Sequence, residues 1–502
     1  MNSNTPFNRL AKGSFFLILS NLTNLGIGAI FWLVLAKISN PTIIGQAMIV
    51  TGFATTLIGF SGYGIQAALS KYMSEYSARN MPNAARRILK NGIRASLILS
   101  GIMAVAITLL SSHIATIVYD NSSLSLMLVF TVSTYLPLWT VVAALQGAFQ
   151  GANIMKYVML TDLIFQVSRI AFVIFALYYG LDAFGILLGF ALASLLSLVI
   201  SYFYLLPRAI PKSVDKEEPN EGTKHITNFT GLNYFTVGIK VLSVQLGTLV
   251  LGTQSLEWAA FYGLALLISK IVGSFSQSVA GALLPTASAE LAKGNKVALG
   301  HIVNTSVRIS ILISGFGFIA LMVDPTYFLS LISNSYVEAA WALRILTISA
   351  VLIAISSILT SLLNAANRAA DVAKIGIASS ASTIILTFIL APISGLEGAA
   401  LAMFVGSTLG LVLSLIVLKQ KEKMIISSKS IIKPFIAIMS GLLIGYVFVL
   451  WGHVLLGIIL AITCYAGFIL AYRATTKSEI RQLIGIAVNR NENPVDNKID
   501  SN

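Results

Sequence analysis

The side chains in this sequence that could do chemistry are a handful of charged and amide groups set inside long apolar stretches. Asp162, Gln166 and Arg169 are spaced i, i+4, i+7, so on a helix they share one face. Lys270, Ser274 and Gln277 repeat that spacing, and their face runs on to Gly281. Lys240 has Asn233 two turns before it, Arg344 is followed by Ser356, Thr360 and Asn364, and Ser20, Asn21 and Asn24 make an uncharged polar stripe near the start. A charge at the centre of a bilayer costs about 3 kcal/mol or more to insert, so such groups face a cavity or a partner. Four cations, Arg169, Lys240, Lys270 and Arg344, stand against Asp162, and a cavity lined by them draws in an anion. Phosphate and carboxylate groups are the complement. The candidate substrate-binding set is therefore Lys270, Lys240, Arg169, Arg344, Gln277 and Asn24, with Asp162 and Gln166 serving either ion coupling or a structural pair with Arg169. Other roles remain open for some of these: Arg344 near a helix end can snorkel to the interface, and Ser, Thr and Asn at helical spacing can bond helix to helix. No catalytic residue, metal ligand set or cofactor motif is identified.

The elements that must position these groups are membrane helices. The chain is 56% hydrophobic and 10% charged, with a mean hydropathy of +0.85, which excludes a soluble multidomain protein of this length. Apolar runs of about 20 residues recur throughout, and with no water to satisfy the backbone inside a bilayer they are helices; the alternation of a membrane barrel is absent. The expected fold is an all-α polytopic membrane protein of about fourteen transmembrane helices, near 14–36, 43–66, 93–119, 124–149, 157–179, 184–206, 229–253, 257–284, 304–323, 340–366, 372–393, 397–418, 432–450 and 453–473. Phe15–Ala36 is too long for a signal peptide and is expected to be retained. The single cysteine, Cys464, excludes a disulfide framework and a cysteine metal site.

The fourteen fall into six, six and two because the chain repeats itself. Ala68–Gly101 aligns without gaps on Ala282–Gly315, with identities that include Ala68/Ala282, Ser74/Ser288, Arg94/Arg308 and Gly101/Gly315. The same offset pairs Gly59 with Gly273, and Ala152-Asn153 with Ala366-Asn367; one residue later in register, Gly180-Leu181-Asp182 meets Gly395-Leu396-Glu397. Each unit holds an even number of helices, so the two run parallel, related by an axis along the membrane normal. The domains are then an N-lobe (1–206), a cytoplasmic linker (207–228) marked by Pro207, Pro211 and Pro219, a C-lobe (229–418), two further helices (419–473), and a tail (474–502) that loses all apolar periodicity and is expected to be partly disordered. The candidate charges lie where the copies differ: Lys270 faces Thr56, Arg344 faces Phe130, Arg169 faces Thr383 and Asp162 faces Gly376.

Lysine and arginine fall in alternate loops, from Lys71, Arg79, Arg86, Arg87 and Lys90 through Lys156 and Arg208 to Lys419 and Lys421, while the opposite loops carry Asp120, Asp182, Glu257, Asp324, Glu338 and Glu397. By the positive-inside rule both termini are cytoplasmic and the protein sits in the cytoplasmic membrane. The net charge of +14 is accounted for by topology, so no nucleic-acid partner is expected. The polar stretch Lys71–Lys90, with Glu290–Ala298 as its counterpart, is expected to be an interfacial helix at the headgroups.

Two six-helix repeats with two extra helices, the lead RLAKGSFF, LAKISNPTIIGQAMI after the first helix, and GYGIQAALSKYMSEYSA leaving the second together resemble the Wzx-type oligosaccharide flippases of the multidrug/oligosaccharidyl-lipid/polysaccharide exporter superfamily. The resemblance covers roughly 9–473 and includes the basic-aromatic pair Lys71-Tyr72; the turn Asn40-Pro41 lacks the glycine usual there. It implies translocation of a polyprenyl-linked oligosaccharide by alternating access of two lobes, with the pyrophosphate or acidic sugars in the basic cavity and a groove for the lipid tail at the last two helices. The implied partners are the lipid-linked substrate, membrane lipids and glycan-synthesis proteins. Two rivals share the superfamily: a multidrug or toxin exporter, which usually has twelve helices and acidic binding residues, and a lipid-linked cell-wall precursor flippase, which shares both the fourteen helices and the positive cavity. An integral-membrane glycosyltransferase acting as glycosidases do needs paired carboxylates on a sizeable external loop, and the turns here are short.

Overall fold

The computed structural model describes residues 6–79, 81–209, 222–292, 296–422 and 427–471, and all regular structure among them is helical. The chain runs through α1 (Pro6–Ile38), α2 (Pro41–Ile58, continued through a π turn into Gly64–Ala78), α3 (Pro82–His113), α4 (Ser123–Ser133 and Tyr135–Gly151), α5 (Met155–Tyr178), α6 (Asp182–Val199, continued to Ala209) and α7 (Gly222–Gly252). It goes on through α8 (Leu256–Ala292), α9 (Lys296–Val323) and α10 (Ala340–Ala365). The stretch Ala369–Val417 holds two helices, α11 and α12, because Pro392 is followed by non-helical backbone at Ser394 and Gly395. The helices α13 (Ser428–Leu450) and α14 (Val454–Ala471) complete the bundle. Among the described residues eleven stretches are long and apolar enough to cross a membrane, one of which, Ala369–Glu422, contains both α11 and α12; the apolar parts of α1 and α14 are shorter. This is a multi-pass, all-helical membrane protein. The tail 474–502 and linker residues 210–221 lie outside the described residues.

The internal repeat is visible in the backbone. Asn153 and Asn367 both take the left-handed conformation at φ 60°, the first after α4 and the second after α10, and Gly180 and Gly395 have φ of 73° and 55°. The flanking hydrogen bonds match as well: Ile154 N–H donates to Phe149 at 2.9 Å and Arg368 N–H to Leu363 at 2.8 Å, the six-to-one bond that closes a helix end. Asparagine tolerates this conformation where most residues resist it, so the identity seen in sequence is a turn requirement.

The helices outrun the hydrocarbon-length segments expected from hydropathy at the end of the bundle that carries Lys71, Arg79, Arg368 and Lys421, here called the basic end. Lys71–Lys90 is not a separate interfacial helix: α2 continues to Ala78 and α3 begins at Pro82. The reason is packing. Ile65, Leu69, Tyr72, Met73 and Tyr76 recur on one face and bury against Ile88, Leu145 and Phe149, so the polar-looking stretch is an amphipathic hairpin with its own core.

The two halves meet along α2. Gly45, Gly52 and Gly59 recur every seven residues and face Leu256, Leu249 and Val241 in one antiparallel register. A Cβ at Gly45 would stand 1.8 Å from the Leu256 carbonyl oxygen, and one at Gly59 2.9 Å from Val241 Cβ, so only glycine permits this approach. At the acidic end of the bundle the Tyr119 hydroxyl donates to the Leu249 carbonyl at 3.0 Å and Thr42 to Glu257 at 3.3 Å, both across the seam. The largest apolar core spans both halves, joining Phe31, Trp32, Trp139 and Phe190 to Phe261, Leu264 and Leu343. The pair α13–α14 packs on α9: Tyr465 is fully buried, and its hydroxyl donates to the Leu312 carbonyl at 2.8 Å.

Candidate functional site

Helix α5 turns Asp162, Gln166 and Arg169 inward, each only 5% exposed. Among the described residues Asp162 and Arg169 form no ion pair with one another. Asp162 accepts hydrogen bonds from the Ser20 hydroxyl and, at 2.7 Å, from Gln146 Nε2. Arg169 Nη2 donates to Gln166 Oε1 at 2.6 Å, and Gln166 Nε2 donates to Asn24 Oδ1 at 2.9 Å. The polar stripe of α1 and the face of α5 are thus one network, in which Gln166 orients Arg169. The guanidinium lies over Phe31, Phe190 and Phe165, at 4.0, 4.8 and 5.3 Å from the ring centroids. Its Nε has no partner among the described residues. A buried cation held by rings and one neutral amide has coordination to spare. Gly28 of α1 faces this pair, and a Cβ there would stand in ordinary contact, 3.7 Å from Gln166 Nε2 and 3.9 Å from Arg169 Nη2.

Between the halves lies a cavity of about 240 Å³ lined by Arg169 from α5 and Lys270 from α8. Thr51 and Thr55 of α2 and Gln245 and Thr248 of α7 line it too, with no Asp or Glu among the lining residues. The Lys270 ammonium, half-buried, has no hydrogen bond or ion pair among the described residues. Two uncompensated cations on one small volume make the site electropositive, and the low dielectric around them lengthens the reach of their field.

The other candidates lie elsewhere. Lys240, on α7, is exposed and does not line the cavity; it sits between Gly238, packed on Phe60, and Val241, packed on Gly59, nearer the basic end than Gln245 and Thr248. Gln277, two turns past Lys270 toward the same end, is also exposed and outside the cavity lining. Arg344 is in the early turns of α10 with its guanidinium 4.8 Å from the Trp341 ring, which is 62% exposed, and it too is absent from the lining. Asn24 touches the cavity only through Gln166 and Arg169. What the sequence reading missed is the aromatic wall of Trp32, Tyr135, Phe165 and Phe190 and the polar pair Gln245 and Thr248. The signal was available in part, since Ser20, Asn24, Gly28 and Phe31 continue one face of α1.

A second cavity of about 210 Å³ at the acidic end surrounds the break between α11 and α12; there Trp258 Nε1 donates to Glu338 at 2.8 Å and Gln254 Nε2 to the Ala391 carbonyl at 3.0 Å, which brace the break. Among the described residues no three His, Cys, Asp or Glu side chains converge as a metal site would need.

Residues 10–289 match the family model described as polysaccharide biosynthesis protein, and residues 235–393 match the MatE model. An uncharacterised membrane protein of Methanocaldococcus jannaschii is 25% identical over 79% of this chain and 95% of its own length. The lipid II flippase MurJ of Bacillus subtilis is 23% identical over 64% of this chain and 65% of its own. Among solved structures, a lipid II flippase MurJ in an inward closed conformation superposes with a TM-score of 0.70 at 15% identity, over 93% of this chain and 99% of that one.

Proposed function

The chain belongs to the polysaccharide biosynthesis protein family, within the multidrug/oligosaccharidyl-lipid/polysaccharide exporter superfamily, and on that premise we propose that it flips a lipid-linked oligosaccharide across the cytoplasmic membrane. The substrate is an oligosaccharide on a polyprenyl phosphate or diphosphate, and membrane lipids and glycan-synthesis proteins are its partners. One observation carries the reading: Arg169 and Lys270, one from each half, bear on a single cavity whose lining has no acid. The phosphate groups lie between them, and Gln166 holds the guanidinium in place. An anion bound to both halves stabilises the conformation in which they approach, which is what couples binding to alternating access. The moving lobes are residues 1–206 and 229–418, joined by the linker 207–228, with 419–473 as an added pair at the lipid side. Lys240 and Gln277, toward the basic end, serve as an entry path that draws the headgroup inward from the cytoplasm.

The MatE match over 235–393 favours a multidrug exporter as the second reading. Two unpaired cations on the cavity count against it, because a cationic drug would be repelled there. Similarity to MurJ keeps a cell-wall precursor flippase within the same proposed chemistry. The test is transport by the purified protein in liposomes. We expect translocation of a fluorescent polyprenyl-diphosphate glycan and no efflux of ethidium; ethidium efflux without lipid translocation would replace this reading by the second.

A further inference from the structure

We infer that Tyr119 is a latch on the seam: it caps the last turn of α7 across the two halves and so biases the molecule toward the state in which the cavity is closed at the acidic end. The end of a helix leaves its final carbonyls without donors of their own. At the end of α7 the N–H groups of Thr253, Gln254 and Ser255 go to Val250 and Leu251, at 3.1, 3.0 and 3.0 Å. The Leu249 carbonyl is taken instead by the Tyr119 hydroxyl, which belongs to the other half and donates at 3.0 Å. A π turn at the end of α3, Ile114–Val118, brings Tyr119 there: Ile117 is 75% exposed on the outside of the bundle, and two residues later Tyr119 is 7% exposed. Its ring lies 6.2 Å from that of Phe53 on α2, in a core shared with Ile49 and Leu249. Gly252 leaves room for it, since a Cβ there would stand 3.1 Å from Tyr119 Cε1. The hydroxyl therefore reaches past α2 to α7 and ties α3 to the far side of the seam.

The repeat shows this bond to be special to one half. At the offset of the two copies Leu249 meets Leu35 and Tyr119 meets Ser333. The Leu35 carbonyl is satisfied inside its own half, by the Ser39 N–H at 2.9 Å. When the halves part at the acidic end, α7 leaves α2, and both the Leu249 carbonyl and the phenol must find other partners where water is scarce. A ligand that opens that end has to supply the difference through its own preference for the open state. The other bond across the seam there, Thr42 to Glu257 at 3.3 Å, is exposed, so water replaces it at small cost.

The experiment reads the two states directly. In the full-length protein in nanodiscs, with Cys464→Ser as background, spin labels on Tyr179→Cys and Asn334→Cys report the separation of two exposed acidic-end positions, one in each half, by double electron–electron resonance. We expect a short and a long distance, with the short one dominant. Tyr119→Phe, which keeps the ring and removes the hydroxyl, should raise the long-to-short ratio about fivefold, and Thr42→Ala less than about twofold. Taking the ratio within each folded sample keeps a loss of stability alone from imitating the shift. A ratio unchanged by Tyr119→Phe, a single distance shared by both proteins, or an equal shift from Thr42→Ala would overturn the latch.

Discussion

Lys270 and Arg169 differ in how firmly they are held, and that difference predicts how each tolerates change. Arg169 is fixed by Gln166 and three rings, while the Lys270 ammonium is bonded to nothing among the described residues and is free to follow a ligand. Lys270→Ala should therefore lower flipping of a labelled polyprenyl-diphosphate glycan at least about tenfold, with Lys270→Arg keeping most of the rate, because the charge is what matters at that position. Wild-type rates from the alanine variant in liposomes would refute the cavity assignment. Asp162 sits behind the cavity with neutral partners, Ser20 and Gln146, which suits a group that takes up and releases a proton or ion during transport. Asp162→Asn keeps the shape and removes the titration, so we expect any pH dependence of transport to vanish; a profile identical to the wild type would assign Asp162 to structure alone. Both residues were legible as candidates because a charge inside an apolar run stands out whatever surrounds it. Trp32, Gln245 and Thr248 were not, since a lone Trp, Gln or Thr on a membrane helix looks like ordinary packing until the opposite wall is known.

At the scale of elements, the seam along α2 decides whether the cavity exists at all. Its register comes from three glycines, each opposite a bulky residue of the other half. In a Cys464→Ser background, Gly59→Cys with Val241→Cys should form a disulfide under mild oxidation once the helices part by about 1 Å, from the 2.9 Å between these Cβ positions to the ~3.8 Å such a bond spans. Transport should stop on oxidation and return with dithiothreitol. Full transport by the cross-linked protein would show that the seam does not open during the cycle. The helices themselves were readable from apolar length, and their count and order follow from it. Their ends at the basic end were not, because hydropathy measures the hydrocarbon core while the hydrogen-bonded backbone runs on through Tyr72, Tyr76 and Ile88, whose packing partners lie on α4.

For the whole molecule, the repeat supplies a near-symmetric scaffold and the chemistry comes from its departures. Thr56, which stands where the second half has Lys270, bonds to the Gly52 carbonyl at 2.9 Å, and Thr383, which stands where the first half has Arg169, bonds to Ser379 at 3.1 Å; both are spent within their own helices. A bundle with parallel halves therefore has one cation from each, contributed by different helices of the repeat, and the cavity they share is asymmetric about the axis. Which side it opens to depends on how the bundle sits in the membrane. The basic end carries Arg79, Arg368, Lys374 and Lys421, partly paired through Lys421 to Asp371 at 2.7 Å and Arg368 to Glu422 at 3.1 Å, whereas the acidic end carries Asp120, Asp182, Glu257 and Glu397. By the positive-inside rule we propose that the basic end faces the cytoplasm. On the function proposed above, a headgroup made in the cytoplasm would then enter from that end, past Lys240 and Gln277. With single cysteines in the Cys464→Ser background, a membrane-impermeant maleimide should label Asn334→Cys and Glu397→Cys in intact cells, and Arg79→Cys and Lys419→Cys only after permeabilisation. The reverse pattern would invert the bundle, and the cavity's path toward the basic end would then serve release of substrate instead of its capture.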